Sequence, residues 1–184
     1  MPTPTLDPRF SDPAATARPW AETLALLRDA ELYWFTTVRD DGRPHVTPLV
    51  GVWHEDGLCV VTGIREQKAR NLSGNPAVAV TTGQNTWAHG TDVVLEGRVE
   101  RVTDGPGLAA VAAAFLAKYG EAWRFEVHAD GFGSEGGEAW VFRVRPERVL
   151  TFAKDPHGQT TYRLGEPTRT RLPSGSTSAS SRTP

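Results

Sequence analysis

Between Pro44 and Trp53 the chain alternates with the period of a β-strand. Val46, Pro48, Val50 and Val52 fall on one side, and His45, Thr47, Leu49 and Gly51 on the other. Both sets hold apolar side chains, so both faces of this strand are expected to be partly covered. Similar runs predict strands over 32–39, 44–53, 58–62, 77–82, 92–103, 138–145 and 147–153. Asp40-Asp41-Gly42 and Glu55-Asp56-Gly57 separate the early ones and carry the Asp-Gly hairpin signal. Pro48 lacks a ladder donor, which places its strand at a barrel edge or a bulge, and Gly51 invites close approach of a ligand or another backbone.

The helical period appears in three places. Residues 19–32 begin with Pro19 and carry Trp20, Leu24 and Leu27 at helical spacing. The alanine-rich run GLAAVAAAFLAKY at 107–119 has Asp104 in position to cap it. A short helix starts among Arg65, Lys68 and Arg70, docks through Asn71 and Leu72, and stops at Asn75-Pro76. Many short strands with hairpin turns and few helices predict a mainly β, α+β architecture: a closed or split antiparallel barrel with flanking helices, not a doubly wound sheet.

The ends differ from the middle. Residues 1–18 carry Pro2, Pro4, Pro8 and Pro13 with few large apolar groups and are expected to form a disordered, extended arm. Residues 165–184 hold one large aliphatic, Leu172, and no aromatic, so disorder is expected there too, with Arg169, Arg171 and Arg182 as solvated charges. One domain is left, over 19–164.

Charge and composition remove several classes. A net charge of −2 over 184 residues argues against a general nucleic-acid binder. The single cysteine, Cys59, lies in an apolar strand and reads as a small core residue, with no disulfide framework or cysteine metal site. Five scattered histidines lack ligand spacing, so no metal is expected. No apolar run approaches the ~20 residues of a membrane span, and the start MPTPTLDPRF lacks the pattern of a secretory signal. A cytoplasmic protein without membrane or nucleic-acid partners is the expectation. Nucleophile elbow, P-loop and Gly-x-Gly-x-x-Gly patterns are all missing, which leaves a hydrolase reading without support.

Candidate chemistry gathers where the strand ending in Thr62-Gly63 runs into cationic residues at a helix start. Backbone N–H groups, the helix dipole and side-chain charge all favour an anion there. Lys68 is the leading ligand residue and Arg65 the second cation. Arg70 points elsewhere on a helix and is expected in solvent or paired with Glu66. Thr62 serves strand packing or a phosphate contact. Trp87 and His89, in the loop QNTWAHGTD, are placed to cover a planar ring or to form a dimer contact. Trp123, Phe125, Phe132 and Trp140 read as core or subunit-interface aromatics, and Glu96 as a structural partner of Arg98 or a neighbouring strand.

The stretches DDGRPHVTPLVGVW, LCVVTG, QKARNLSGNPAVAV and VVLEGRVERVTD, in that order and followed by EAWVFRVRPERVLTFAKD, resemble the pyridoxamine 5′-phosphate oxidase-like family of FMN-binding split β-barrels. That superfamily also contains F420-dependent reductases. The resemblance spans roughly residues 20–163 and implies a cofactor ring along Val46, Thr47, Pro48 and Leu49 up to Gly51, held by backbone contacts. It implies a phosphate or ribityl contact at Thr62 and phosphate binding by Lys68 and Arg65. Gln67-Lys68 stands where the family commonly has Arg-Lys, and Asp92 where the true oxidases have glutamine. The oxidases' Arg-His substrate pair is replaced by a segment from His157 to Arg163, so true pyridoxamine-phosphate oxidase activity is not expected.

The implied function is an FMN-dependent oxidoreductase that moves hydride to or from a small organic substrate, as a homodimer with the cofactor near the subunit interface. No catalytic side chain is required, because the cofactor carries the redox chemistry. Two alternatives stand beside it. One is F420-dependent reduction, with Arg43, Arg65, Lys68 and Arg70 facing an anionic tail. The other is a module that binds flavin or haem without turnover.

Overall fold

The computed structural model describes residues 1–84, 86–134 and 137–165. In chain order the elements are β1 (Thr5–Leu6), α1 (Trp20–Asp29), β2 (Tyr33–Val38), β3 (Pro44–Leu49), β4 (Gly51–His54), β5 (Gly57–Gly63), α2 (Gln67–Gly74), β6 (Ala77–Gly83) and β7 (Thr91–Val102). There follow α3 (Gly105–Tyr119), β8 (Glu126–Val127), β9 (Phe132–Ser134), β10 (Gly137–Lys154) and β11 (His157–Arg163). The strands join in one antiparallel sheet of order β1-β11-β10-β7-β6-β2-β3, with β5 on the other edge of β10 and β4 beside it. This is the mainly β split barrel that the pattern predicts.

β10 organises the sheet. One edge pairs first with β9 and then with β7, while the other pairs first with β5 and then with β11. The two strands predicted at 138–145 and 147–153 are one strand, whose register shifts between Pro146 and Arg148. Pro146 has no N–H to give the ladder, and a bulge absorbs the defect. Across from it, a Cβ on Gly97 would stand 2.1 Å from the Arg145 carbonyl oxygen, so the crossing admits only glycine. The run predicted as one strand over 44–53 breaks at Val50, because β3 pairs with β2 and β4 pairs with β5. β8, β9 and β11 lie outside the predicted strands. They are short or polar and take their order from backbone pairing.

The N-terminal arm also departs from expectation. Thr5 and Leu6 pair with Thr161 and Thr160, the Asp7 N–H donates to the Gln159 carbonyl at 2.9 Å, and the His157 N–H donates to the Asp12 carboxylate at 2.9 Å. The open edge of β11 supplies backbone groups that need partners, and a proline-rich segment poor in large apolar groups still satisfies them. Of the expected C-terminal tail, residues 166–184 lie outside the described residues.

Two apolar clusters explain the alternation along the strands. Tyr33, Phe35, Leu58, Val60, Val80, Leu95 and Val144 fill the barrel with Leu27 of α1. Val52, Cys59, Val102 and Val141 pack outside it against Leu108, Val111 and Phe115 of α3. β5 and β10 are thus covered on both faces, and Cys59 is a buried core residue, its thiol pushed upward in pKa by burial against the opposing effect of Arg143. Phe125, Phe132 and Trp123 join Phe115 in an aromatic group on α3. Asp104 caps α3 as predicted, its carboxylate accepting the Gly107 N–H at 2.8 Å. No helix among the described residues is long and apolar enough to cross a membrane.

Gly51 is approached by its own chain. Lys118 Nζ donates to the carbonyls of Gly51 (3.0 Å) and Ala30 (2.7 Å), and the Tyr119 hydroxyl stands 2.8 Å from the same Gly51 oxygen. The end of α3 thereby holds α1 and the β3–β4 bend in fixed relation.

Candidate functional site

The barrel opens along one seam. Gly51 pairs with Val60, and beyond that point β3 stays with β2 while β5 continues along β10 to Gly63. The two strands separate there, and α2 starts four residues after β5 ends, so the helix begins at the mouth of the seam. Among the described residues the edge of β3 turned away from β2 has no strand partner. That is where Pro44 and Pro48 belong, since an edge strand tolerates missing donors.

α2 is held by a polar bond. Asn71 is 1% exposed, and its Nδ2 donates to Thr37 Oγ1 of β2 at 2.8 Å, while its Oδ1 accepts from Gln67 Nε2 at 2.7 Å. Ala69 and Leu72 bury the same side of the helix. This docking brings Lys68 inward, so that its side chain is only 11% exposed. Burial of an ammonium group demands compensation, and Lys68 Nζ finds it in the Glu66 carboxylate.

Glu66 also reaches back to accept the Gly63 N–H, at 2.8 Å from its Oε1. Burial works to raise its pKa, but the Lys68 hydrogen bond, the Gly63 N–H, the Lys68 charge and the Thr62 hydroxyl together hold it below the usual value. The group stays ionised at neutral pH. No side chain caps α2, so the carboxylate engages the Gly63 amide preceding the helix instead.

Two hydroxyls face the seam from opposite sides. Thr62 shares the barrel-side parity of Leu58 and Val60 and is 3% exposed, and its Oγ1 completes no hydrogen bond. Thr47 lies between His45 and Leu49 on the inner side of β3, and its Oγ1 is likewise buried and unsatisfied. Such groups are uncommon in folded proteins and call for a partner. His45 Nδ1 is 3.4 Å from Thr37 Oγ1. Burial first, then the charges of Arg39 and Lys68, lower the His45 pKa against the opposing pull of Glu66, which favours the neutral imidazole.

The residues expected at the site divide into three groups. Thr47, Thr62 and Lys68 each bury a polar group on the elements that border the seam, and Leu49 packs against the barrel core. Val46, 53% exposed, and Pro48 turn their side chains outward, next to Thr36 and Trp34 of β2, so only their backbone lines the seam. Arg65 is exposed at the rim of an open cleft of about 570 Å³ lined also by Gly63, Ile64, Glu66 and Glu138.

Other expectations resolve elsewhere. Glu66 pairs with Lys68 and not with Arg70, which is exposed. Arg43 is bound to Asp41 of its own turn at 2.7 Å. Glu96 holds Arg148 of the neighbouring strand through two bonds of 2.7 and 2.8 Å. Trp87, 94% exposed, and His89 sit in the loop beyond β6, at the end of β2 opposite α2, and do not join the seam of their own chain. Asp92 is paired with Lys154 at 3.0 Å. Glu66 and His45 are the site residues that sequence reasoning passed over. His45 shares the parity of Thr47, which is a legible signal, whereas Glu66 at the N-cap of α2 looks like ordinary dipole compensation.

An antiparallel barrel split along one seam defines the class. The chain belongs to the pyridoxamine 5′-phosphate oxidase family, whose model matches residues 20–153. No curated protein matches it. Among solved structures, a conserved hypothetical protein from Mycobacterium tuberculosis is similar at TM-score 0.63 and 19% identity, over 77% of this chain and 88% of that one. A haem-binding protein from Mycobacterium smegmatis is similar at TM-score 0.64 and 20% identity, over 80% of this chain and 60% of that one. A pyridoxamine 5′-phosphate oxidase-related, FMN-binding protein from Nostoc punctiforme is similar at TM-score 0.58 and 16% identity, over 82% and 93%. These likenesses carry the fold, which serves flavin-binding and haem-binding proteins alike.

Proposed function

We propose that this protein is an FMN-dependent oxidoreductase that passes hydride to or from a small organic substrate and is not a true pyridoxamine-phosphate oxidase. The observation that carries this reading is the seam itself, bordered by a buried lysine, two unsatisfied threonine hydroxyls and a β3 edge without a strand partner among the described residues. The donor set fits a phosphate-bearing cofactor. Lys68 would neutralise the phosphate through a charge-assisted hydrogen bond, with Thr62 Oγ1 and the Gly63 N–H as further donors and Arg65 as a cation at the rim. The backbone of β3 from Val46 to Leu49 would orient the ring, with Thr47 supplying a hydroxyl on its inner side. When bound, FMN supplies the hydride chemistry. The chain's part is to bind, orient and exclude water.

The reading includes a homodimer. Trp34 is 50% exposed and pairs with Pro48, while Val46 pairs with Thr36, so an apolar patch flanks the seam on the outer face of β2 and β3. A second copy covering that patch would place its surface beside the cofactor. The test is anaerobic reduction of the FMN-loaded protein by a nicotinamide, followed by reoxidation with candidate acceptors. Reduction and acceptor-dependent return support the enzyme. F420 reduction in place of FMN chemistry would move the protein to the deazaflavin branch.

A second reading has one observation in its favour. His45 presents an imidazole held toward neutrality near the seam, a neutral nitrogen that would serve to hold a haem iron. A haem- or flavin-binding module without turnover follows from it, and stable cofactor binding with no reduction by any carrier would select that reading.

A further inference from the structure

The Glu66 carboxylate occupies the position that an anion would take at this seam. Its Oε1 accepts the Gly63 N–H, its Oε2 accepts from the buried Lys68 ammonium, and the buried Thr62 hydroxyl adjoins the same carboxylate without completing a hydrogen bond. Gly63 has no Cβ; one built there would stand 3.1 Å from Glu66 Oε1, closer than ordinary contact, so the carboxylate fills a space that glycine leaves. These donors are the ones the proposed phosphate contact requires. A carboxylate and a phosphate oxygen cannot share them, since like charges so close repel strongly.

We propose that Glu66 is a resident competitor for the phosphate site: an internal carboxylate that must leave before a phosphate enters. The proposal rests on the flavin reading for its natural ligand, but the competition itself concerns any phosphate. Glu66 has somewhere to go. Its side chain is 49% exposed, and the open cleft beside Ile64 and Arg65 adjoins it. The functional consequence is selectivity. Free phosphate and small phosphorylated metabolites gain too little from the remaining contacts to displace a hydrogen-bonded carboxylate, whereas a ligand whose ring also engages β3 offsets that cost. The device makes the site discriminate by the whole cofactor and not by its phosphate alone.

The test compares the full chain with Glu66→Gln and Glu66→Ala, using FMN, riboflavin and inorganic phosphate as probes. Both variants are expected to bind FMN about 10- to 100-fold tighter than the parent, the equivalent of releasing one charge-assisted bond. Riboflavin, which lacks the phosphate, is expected to bind all three proteins equally. Millimolar phosphate is expected to raise the thermal midpoint of the variants and not of the parent. Unchanged or weaker FMN binding in a folded variant, with no response to phosphate, overturns the proposal and leaves the flavin reading standing. A phosphate response confined to the variants, with no flavin bound by any of the three, supports the competitor and removes the flavin reading. Should Glu66→Ala fail to fold, Glu66→Gln, which keeps an acceptor for the Gly63 N–H, carries the comparison alone.

Discussion

Asn71 of α2 donates to Thr37 Oγ1 of β2 at 2.8 Å, both residues buried, and this bond joins the packing of Ala69 and Leu72 in docking the helix that carries Lys68. It couples a core interaction to the candidate site. Asn71→Ala is expected to leave a buried hydroxyl with poorer partners and to lower folding stability by about 1–3 kcal/mol. The measurement is urea denaturation, followed by FMN titration of the folded variant. Weakened FMN binding in a protein that remains folded supports the coupling; full affinity would show that α2 keeps its place without the bond.

Removing the cation tests the site more locally. Lys68→Ala is expected to weaken FMN binding by about 1.5–3 kcal/mol, the usual worth of a hydrogen bond to a charged group. The variant also leaves Glu66 without its ammonium partner, which adds repulsion toward a phosphate. Equilibrium titration reads the change, and unaltered affinity in a folded Lys68→Ala protein would take Lys68 out of the site.

His45 gives the site a pH signature. Its pKa is lowered in the folded protein from the ordinary 6.5, by burial and then by Arg39 and Lys68. Below that value the unfolded chain binds a proton that the folded protein resists, so the unfolded state holds more protons and stability rises with pH. This contribution is complete above the unfolded value and is lost as pH falls through 6.5 toward the lowered pKa. Histidine proton shifts followed by NMR are expected to show His45 titrating below 6.5, and His45→Gln is expected to flatten the stability profile in that window.

The outer patch on β2 and β3 carries the dimer expectation. Aromatic anchors dominate interfaces of this kind, and Trp34→Glu is expected to weaken self-association by about 2 kcal/mol or more. Sedimentation equilibrium over a range of concentrations measures it. A parent protein that sediments as a monomer at every concentration would remove the dimer from the account.

Much of this fold was legible because the apolar pattern has a physical cause that leaves a mark. The double burial of β5 shows as the unbroken run Leu58, Cys59, Val60 and Val61, and the cap of α3 shows as Asp104 before an alanine-rich stretch. Pro48 and Gly51 flank the place where β3 gives way to β4, and Gly51 is approached closely by the Cys59 backbone and by Lys118 and Tyr119. What escaped is order that comes from backbone pairing alone. β11 and the N-terminal arm are polar or proline-rich and form because an open edge needs partners, a requirement that side-chain pattern does not record. In the site, Lys68 and Thr62 stood out through their place after a strand end. Glu66 did not, because an acidic residue beside a helix start reads as ordinary dipole compensation, and its turn back to Gly63 is a property of the fold.

The most direct measurement is equilibrium titration of the purified protein with FMN, followed by the flavin absorption and fluorescence, with F420 and haem titrated in parallel. The account predicts saturable, stoichiometric FMN binding with a perturbed flavin spectrum. A protein that ignores FMN while taking up haem or F420 would contradict it.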